Sequence, residues 1–282
     1  MNKQKDIDNL LEFIKENNQT NEIKLKKKKK IVIILINLLT IMLLVGGGFG
    51  IKTVLDQKKD MENIKTLQKE ILKKAPTSKE TNEMLEPIID EEKAYDEYEL
   101  AFKELIDVNS ETVGWLKINN TRIDLPVVQT TDNKYYLNHD FNKNYNSMGW
   151  VYADYRNSFP ELSQNTIIYG HTYKDTIMLS SLQYVLKDVW LNNKDNYLIE
   201  FNTLDGAKKW HVFSIYTIEK TSDYLETNFS FDEFKTFINK IKERSIKDFN
   251  VDINSTDRIL TISTCYIDDD HRLVVHAKLM DE

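Results

Sequence analysis

Residues Ile31–Ile51 read IVIILINLLTIMLLVGGGFGI, 21 positions without a charged side chain. A helix rising about 1.5 Å per residue would make this run about 31 Å long, the thickness of a bilayer's hydrocarbon core, about 30 Å. Asn37 and Thr40 are its only polar side chains, and Lys24 and Lys26–Lys30 stand directly before it. Lysine-rich flanks stay on the cytoplasmic side. The expectation is one transmembrane anchor at 31–51, a cytoplasmic tail at 1–30, and an extracytoplasmic body from Lys52 onward. A cleaved signal peptide would have a shorter apolar core, about 7–15 residues, and an A-x-A site behind it. Neither is present. The bordering lysines also argue against a helix buried in a soluble core.

Charge and cysteine usage narrow the body further. The formal charge is −7, and setting aside the six lysines of the block leaves −13 for everything else. Neutralising phosphates needs a basic face, so nucleic-acid binding by the body is excluded. The single cysteine, Cys265, rules out an intramolecular disulfide and a metal site of several thiolates. No cofactor is expected.

Residues 52–94 are expected to form an extracytoplasmic helical stalk. Met61, Ile64, Leu67 and Ile71 fall at helical spacing, and Ala75-Pro76-Thr77-Ser78 breaks the pattern. A second helical stretch runs from Pro87 to Asp107, with Tyr95, Tyr98, Phe102 and Leu105 as a core-facing stripe. The main domain spans 95–282 and is mainly β. Its expected strands are Gly114–Ile118, Ile123–Gln129, Gly149–Ala153, Thr166–Tyr169, Tyr197–Phe201, Trp210–Ile218, Arg258–Thr264 and Leu273–Leu279, short runs consistent with a closed or nearly closed barrel. Helical insertions are expected at Ile177–Leu186 and from Ser230. There Glu233 completes a capping box, and Phe234, Phe237, Ile238 and Ile241 share one face.

Cys265 ends the run Leu260–Cys265, where Thr261, Ser263 and Cys265 would share one face of a strand. A free cysteine is commonly just a small buried apolar residue. A lone thiol at a strand end in an extracytoplasmic domain is also a candidate nucleophile. Such a thiol needs a proton carrier, and histidine suits both the uptake and the return of the proton. His171 follows the apolar run Thr166–Tyr169 and Gly170, at a strand-to-loop transition with backbone freedom beside it. His211 and His276 lie inside strands, and His139 and His271 in loops. An oxyanion needs a donor, and Arg272 opens the strand after a six-residue loop that would bring it beside Cys265. The alternative for Arg272 is a surface residue balancing Asp268, Asp269 and Asp270. For those aspartates a solvated loop is preferred over a calcium site.

Together these residues resemble the sortases. Thr261-Ile262-Ser263-Thr264-Cys265 is similar to the family's T-L-x-T-C signature with Ile in place of Leu. Tyr169-Gly170-His171 matches its histidine and Arg272 its arginine, in the family's order. The resemblance is closest to class B and covers Tyr98 to Met280. It includes Gly114-Trp115-Leu116, Pro126–Gln129, Asn133 with Tyr136-Leu137, Asp154-Tyr155-Arg156-Asn157, Lys174-Asp175 and Val274–Lys278. The Cys–Arg spacing is shorter than the class pattern. The resemblance implies an eight-stranded sortase-type β-barrel with N-terminal helices and a helical insertion between strands 6 and 7. It implies a cysteine transpeptidase that cleaves a C-terminal sorting motif after Thr. Cys265 would be the nucleophile, Arg272 the oxyanion partner and His171 the acid. Substrate contacts would be Asn133, Leu137, Thr221, Tyr224, Leu225 and Ser263. The implied partners are secreted surface proteins and a peptidoglycan-precursor amine, at the membrane of a Gram-positive bacterium. Each proposed contact also has a plainer reading: Leu137 and Leu225 as core, Asn133 and Thr221 as turn formers, Tyr224 and Ser263 as packing or hydrogen-bonding residues. Two alternatives for the whole chain are a purely hydrolytic thiol peptidase and a non-catalytic surface binding module.

Overall fold

A computed structural model describes residues 3–76, 91–173, 177–266 and 268–280. Within them, the side chains at 3–12, 14, 16–23, 41, 43–49, 91–97, 265, 266, 268 and 269 lie outside the description. The chain divides into two compact units, 1–58 and 59–282.

The described residues of the first unit belong to α1 (Lys3–Leu72), which contains the whole uncharged run. Among the described residues, no helix is long and apolar enough to cross a membrane. Positions 41 and 43–49 of that run are among those whose side chains are not described.

The second unit is an eight-stranded barrel with helices packed on it. The strands are β1 (Thr112–Ile118), β2 (Asp124–Val128), β3 (Tyr152–Ala153), β4 (Asn165–Gly170), β5 (Leu198–Asn202), β6 (Lys209–Glu219), β7 (Ile259–Tyr266) and β8 (Asp268–Leu279). They close in the order β1-β2-β3-β4-β7-β8-β6-β5. Among the described residues each strand of the closed barrel has a neighbour on both sides, which removes a template for aggregation. β2–β3 and β4–β7 are parallel pairs, and the other ladders are antiparallel.

Alternation along the strands decides what lies inside. Trp115, Val127, Ile168, Phe201, Val212, Ile262 and Val275 belong to one buried core. The apolar stripe of the last turns of α1 joins that core: Ile64 and Ile71 are buried, with Met61 and Leu67 packed beside them. Tyr98, Phe102 and Leu105 of α2 (Glu91–Val108) do the same, whereas Tyr95 lies outside the described side chains. The expected break at Ala75–Ser78 leads into residues 77–90, also outside the description.

Before β5 come a 3-10 segment at Ser180–Leu186 and a single helical turn, α3 (Asp188–Leu191). Between β6 and β7 lies α4 (Phe231–Glu243), whose Phe234, Phe237, Ile238 and Ile241 pack in a second cluster with Phe213, Tyr216 and Val274. At its start the Glu233 carboxylate accepts from the Ser230 backbone N–H at 2.9 Å and from its hydroxyl at 2.6 Å. This anchors the first turn at both ends of the box.

One expectation needs correction. The segment between Cys265 and Arg272 is not a six-residue loop. The β7–β8 ladder continues through Cys265↔Arg272 to Tyr266↔Asp268, with a register shift between Cys265 and Tyr266. The physical reason is backbone pairing: continued strands satisfy N–H and C=O groups that a loop would leave to solvent, and the shift takes up the three extra residues of β8, 269–271. Asp268–Asp270 are thus strand residues of β8.

Candidate active site

Four strand ends meet at one mouth of the barrel. β4 and β7 run parallel with Gly170 opposite Thr264, so His171 and Cys265, the next residue on each, leave the ladder side by side. β8 returns antiparallel and sets Arg272 opposite Cys265. β6, on the other flank of β8, pairs Ile218 with Arg272 and then continues into 220–225.

A cleft of about 690 Å³ opens at this mouth. His171 and Arg272 line it, together with Asn133, Leu137, Thr221, Tyr224, Leu225 and Ser263. The backbone of Cys265 stands at the same strand end; its side chain is among those not described. Leu137 is 39% exposed, whereas Leu225 is half-buried and packs against the second cluster, beside α4. Lys220 and Thr264 also face the cleft, and reading the residues in order did not single them out for it.

The imidazole of His171 is oriented by backbone. Its Nε2 lies 3.0 Å from the Leu137 carbonyl. A carbonyl only accepts, so Nε2 carries a proton and donates it there. The ring also packs at 5.6 Å between centroids on Tyr173. Behind it, Thr264 Oγ1 donates to the Gly170 carbonyl at 2.7 Å, and the Thr172 hydroxyl is 2.6 Å from the same Oγ1. Because the Thr264 proton is already committed, Thr172 is the donor. The two residues flanking His171 are therefore tied to the strand that carries Cys265.

Gly170 serves closeness rather than backbone freedom. A Cβ there would stand 2.7 Å from Leu179 Cγ and 3.3 Å from Val151 Cγ2. The space beside His171 is already filled by packed side chains.

Beneath the cleft lies Asp154, fully buried. Its carboxylate accepts from Arg156 Nε and Nη2, both at 2.9 Å, from Tyr169 Oη at 2.8 Å and from Asn133 Nδ2 at 3.0 Å. Burial alone would raise its pKa. The bonds from the Arg156 side chain and backbone, and from Tyr169, outweigh burial and hold the carboxyl below its ordinary value. The Asn133 Oδ1 accepts the Tyr155 N–H at 3.0 Å, so each end of this amide has one internal partner and one remaining site for a ligand.

On the opposite side, buried Tyr224 meets Ser263 at 2.9 Å between hydroxyl oxygens. The strand histidine His276 is fully buried, with Thr261 and Tyr216 at its two ring nitrogens. His139 stacks on Tyr135 with centroids 4.0 Å apart. Among the described residues, no group of three His, Cys, Asp or Glu is placed to hold a metal ion.

A cleft that presents an imidazole and a guanidinium beside one strand end can carry a proton and stabilise a developing oxyanion. The family profile for the sortase domain matches residues 116–280. Sortase B of Staphylococcus aureus is 34% identical over 183 residues, covering 64% of this chain and 74% of that protein. Sortase B of Listeria monocytogenes is 35% identical over 184 residues, covering 63% and 73%. A solved Staphylococcus aureus sortase B–substrate complex superposes with a TM-score of 0.65 at 28% identity, covering 79% of this chain and 98% of that one.

Proposed function

The chain belongs to the sortase family and is a class B cysteine transpeptidase that anchors surface proteins, and from that premise we propose which residues perform the reaction and where. Cys265 is the nucleophile. Its thiolate attacks the carbonyl carbon of the Thr in a C-terminal sorting motif, forming a C–S bond and a tetrahedral oxyanion. Arg272 stabilises that oxyanion. Collapse breaks the C–N bond, and the departing amine takes a proton from the imidazolium of His171. An amine of a peptidoglycan precursor then attacks the thioester and gives its proton to the imidazole. A new amide forms and the thiolate leaves.

The observation that carries this reading is the double register at the mouth: Gly170 opposite Thr264 and Arg272 opposite Cys265. Asn133, Leu137, Thr221, Tyr224, Leu225 and Ser263 are the proposed substrate contacts, and their common cleft supports that role. The cargo is a secreted protein with a sorting signal; the solved relative with a bound substrate favours this class. Residues 31–51 are proposed as the anchor, 1–30 as the cytoplasmic tail and 95–282 as the catalytic domain outside the membrane; of the expected stalk at 52–94, the turns around Ile64 and Ile71 pack into the catalytic domain's core and count as part of it. The lysine block and the uncharged run support this topology.

The test is a panel of peptides with different sorting motifs, incubated with the fragment from Lys52 onward, with and without an amine acceptor. Cleavage after Thr and an amide to the acceptor are expected. Hydrolysis products alone, whatever the acceptor, would favour the purely hydrolytic peptidase. Cys265→Ala and His171→Ala should each lower turnover by about 10³-fold or more with the fold intact, and Arg272→Ala by about 10²–10³-fold. Full activity in the cysteine or histidine variant overturns the assignment.

A further inference from the structure

Two walls of the cleft come from distant parts of the chain. One is the segment Asn133–Leu137 between β2 and β3. The other is Thr221–Leu225 after β6. Asp154 and Arg156 connect them from below. Asp154 accepts from Asn133 Nδ2 at 3.0 Å, on the first wall. Its Oδ1 and Oδ2 receive Arg156 Nε and Nη2, a planar two-point pairing. The same Nη2 reaches on to the Leu225 carbonyl at 2.7 Å, on the second wall.

The connection is stiff. The Arg156 N–H also donates to Asp154 Oδ1 at 3.0 Å, closing a tight turn. Gln129 Nε2 donates to the Asp154 and Asn157 carbonyls, both at 2.8 Å, and Asn157 N donates back to the Asp154 carbonyl at 3.0 Å. Asp154 is buried, while the Arg156 side chain is 36% exposed. A buried carboxylate so held has one orientation, and the guanidinium fixed on it has one reach.

We propose that Asp154 and Arg156 form a strut that sets the gap between the two cleft walls, making them positioning residues for sorting-signal recognition. They act through Asn133 and Leu225, which line the cleft, and not on the reacting atoms. The same wall carries the Leu137 carbonyl that receives His171 Nε2, so the strut works mainly on how the peptide is held and only at second remove on the acid. The inference rests on the proposed substrate cleft.

The test measures sorting-peptide affinity by calorimetry on the full chain in detergent, in a Cys265→Ala background where no turnover occurs. KM and kcat are measured in parallel with Cys265 present. Arg156→Met removes the guanidinium. Arg156→Lys keeps a positive charge beside Asp154 but cannot serve both carboxylate oxygens and the Leu225 carbonyl at once. Arg156→Met is expected to weaken binding and raise KM at least about tenfold, as misplacing a recognition wall does, with Arg156→Lys intermediate. The rate of Cys265 alkylation by iodoacetamide, which needs no wall, should stay within about twofold of the parent, as should kcat. Both variants folded with parental affinity and KM would overturn the strut. So would a parallel collapse of alkylation, kcat and melting temperature in the lysine variant, which marks a merely structural role. If the parent chain binds sorting peptides but joins and cleaves none, the proposed chemistry falls, while the binding series still decides the strut.

Discussion

At the scale of single residues, the protonation of His276 is dictated by its neighbours. Asn165 Nδ2 donates to the Glu226 carbonyl at 2.7 Å, so its Oδ1 is the acceptor for the Thr261 hydroxyl at 2.6 Å. Thr261 Oγ1 can then only accept from His276 Nδ1, 2.8 Å away, and His276 Nε2 accepts from Tyr216 Oη at 2.9 Å. The ring is neutral, with its proton on Nδ1. Burial, with Arg244 nearby, pushes its pKa down to about 3. An unfolded histidine takes up a proton near pH 6.5 and the folded one not until about 3. The unfolded state therefore binds more protons in between, and stability falls as pH drops through that window. The ceiling on this loss is about 5 kcal/mol. Asp154 and Asp223, whose pKa values are lowered, add their losses only below the ordinary carboxylate range. Denaturant titrations between pH 6.5 and 5 should thus show a slope that His276→Gln flattens; an unchanged slope would refute the buried neutral ring. The sequence placed His276 inside a strand but not its partners, because Tyr216 lies 60 positions away. Asp154 shows the same limit: its motif was visible, but its link to Leu225 passes through space. Cys265 and His171 stand at or next to strand ends that the residue pattern already marks, whereas Arg272 is the fifth residue of β8, and its place opposite Cys265 follows from a ladder that the aspartates before it concealed.

Elements were legible from their apolar runs and faces. α4 shows a single apolar face, whereas β7 and β8 are buried on both: Leu260, Ile262, Leu273 and Val275 join the barrel core, and Ile259 and Val274 the cluster under α4. The stripe Met61-Ile64-Leu67-Ile71 announced a helix but not that it packs on the barrel, because periodicity names a buried face and not its cover. The β7–β8 extension was hidden for another reason: Asp268–Asp270 carry turn-like composition, and a ladder already running through Leu273–Leu279 overrides it. Gly170 gives this scale its test. Gly170→Ala forces a methyl against Leu179, which is fully buried. Overpacking of this kind costs about 1–3 kcal/mol. Because the next residue is His171, turnover should fall by about tenfold or more, chiefly in kcat. Shortening the obstacle with Leu179→Ala in the same chain should recover kcat while leaving stability low. If the double variant is no faster than the single one, close packing is not the reason for glycine there.

At the scale of the whole molecule, the compact unit begins at Lys59, inside α1. Ile64 is completely buried and Ile71 nearly so. Asp60 reaches the segment that leads into β3: its carboxylate accepts from the Ser147 hydroxyl at 2.6 Å and its carbonyl from Asn146 Nδ2 at 3.1 Å. Tyr173, two residues past His171, donates from its hydroxyl to the Ser147 carbonyl at 2.9 Å. The last turns of α1 therefore brace the loop that follows His171 as well as filling the core. Burying two isoleucines contributes about 3–6 kcal/mol, against a total stability of about 5–15 kcal/mol for a domain. Two truncations separate this brace from the proposed anchor. A fragment from Lys52 keeps every one of these contacts and should unfold cooperatively, with kcat on sorting peptides matching the full chain in detergent. A fragment from Ala75 loses Asp60, Ile64 and Ile71 and should melt at least about 10 °C lower or fail to fold, since about 1 kcal/mol shifts Tm by about 2–4 °C at this size. Membrane flotation of the full chain, lost in the Lys52 fragment, checks the anchor in the same experiment. Equal melting temperatures for the two fragments would mean that these helical turns are a spacer and not part of the catalytic fold.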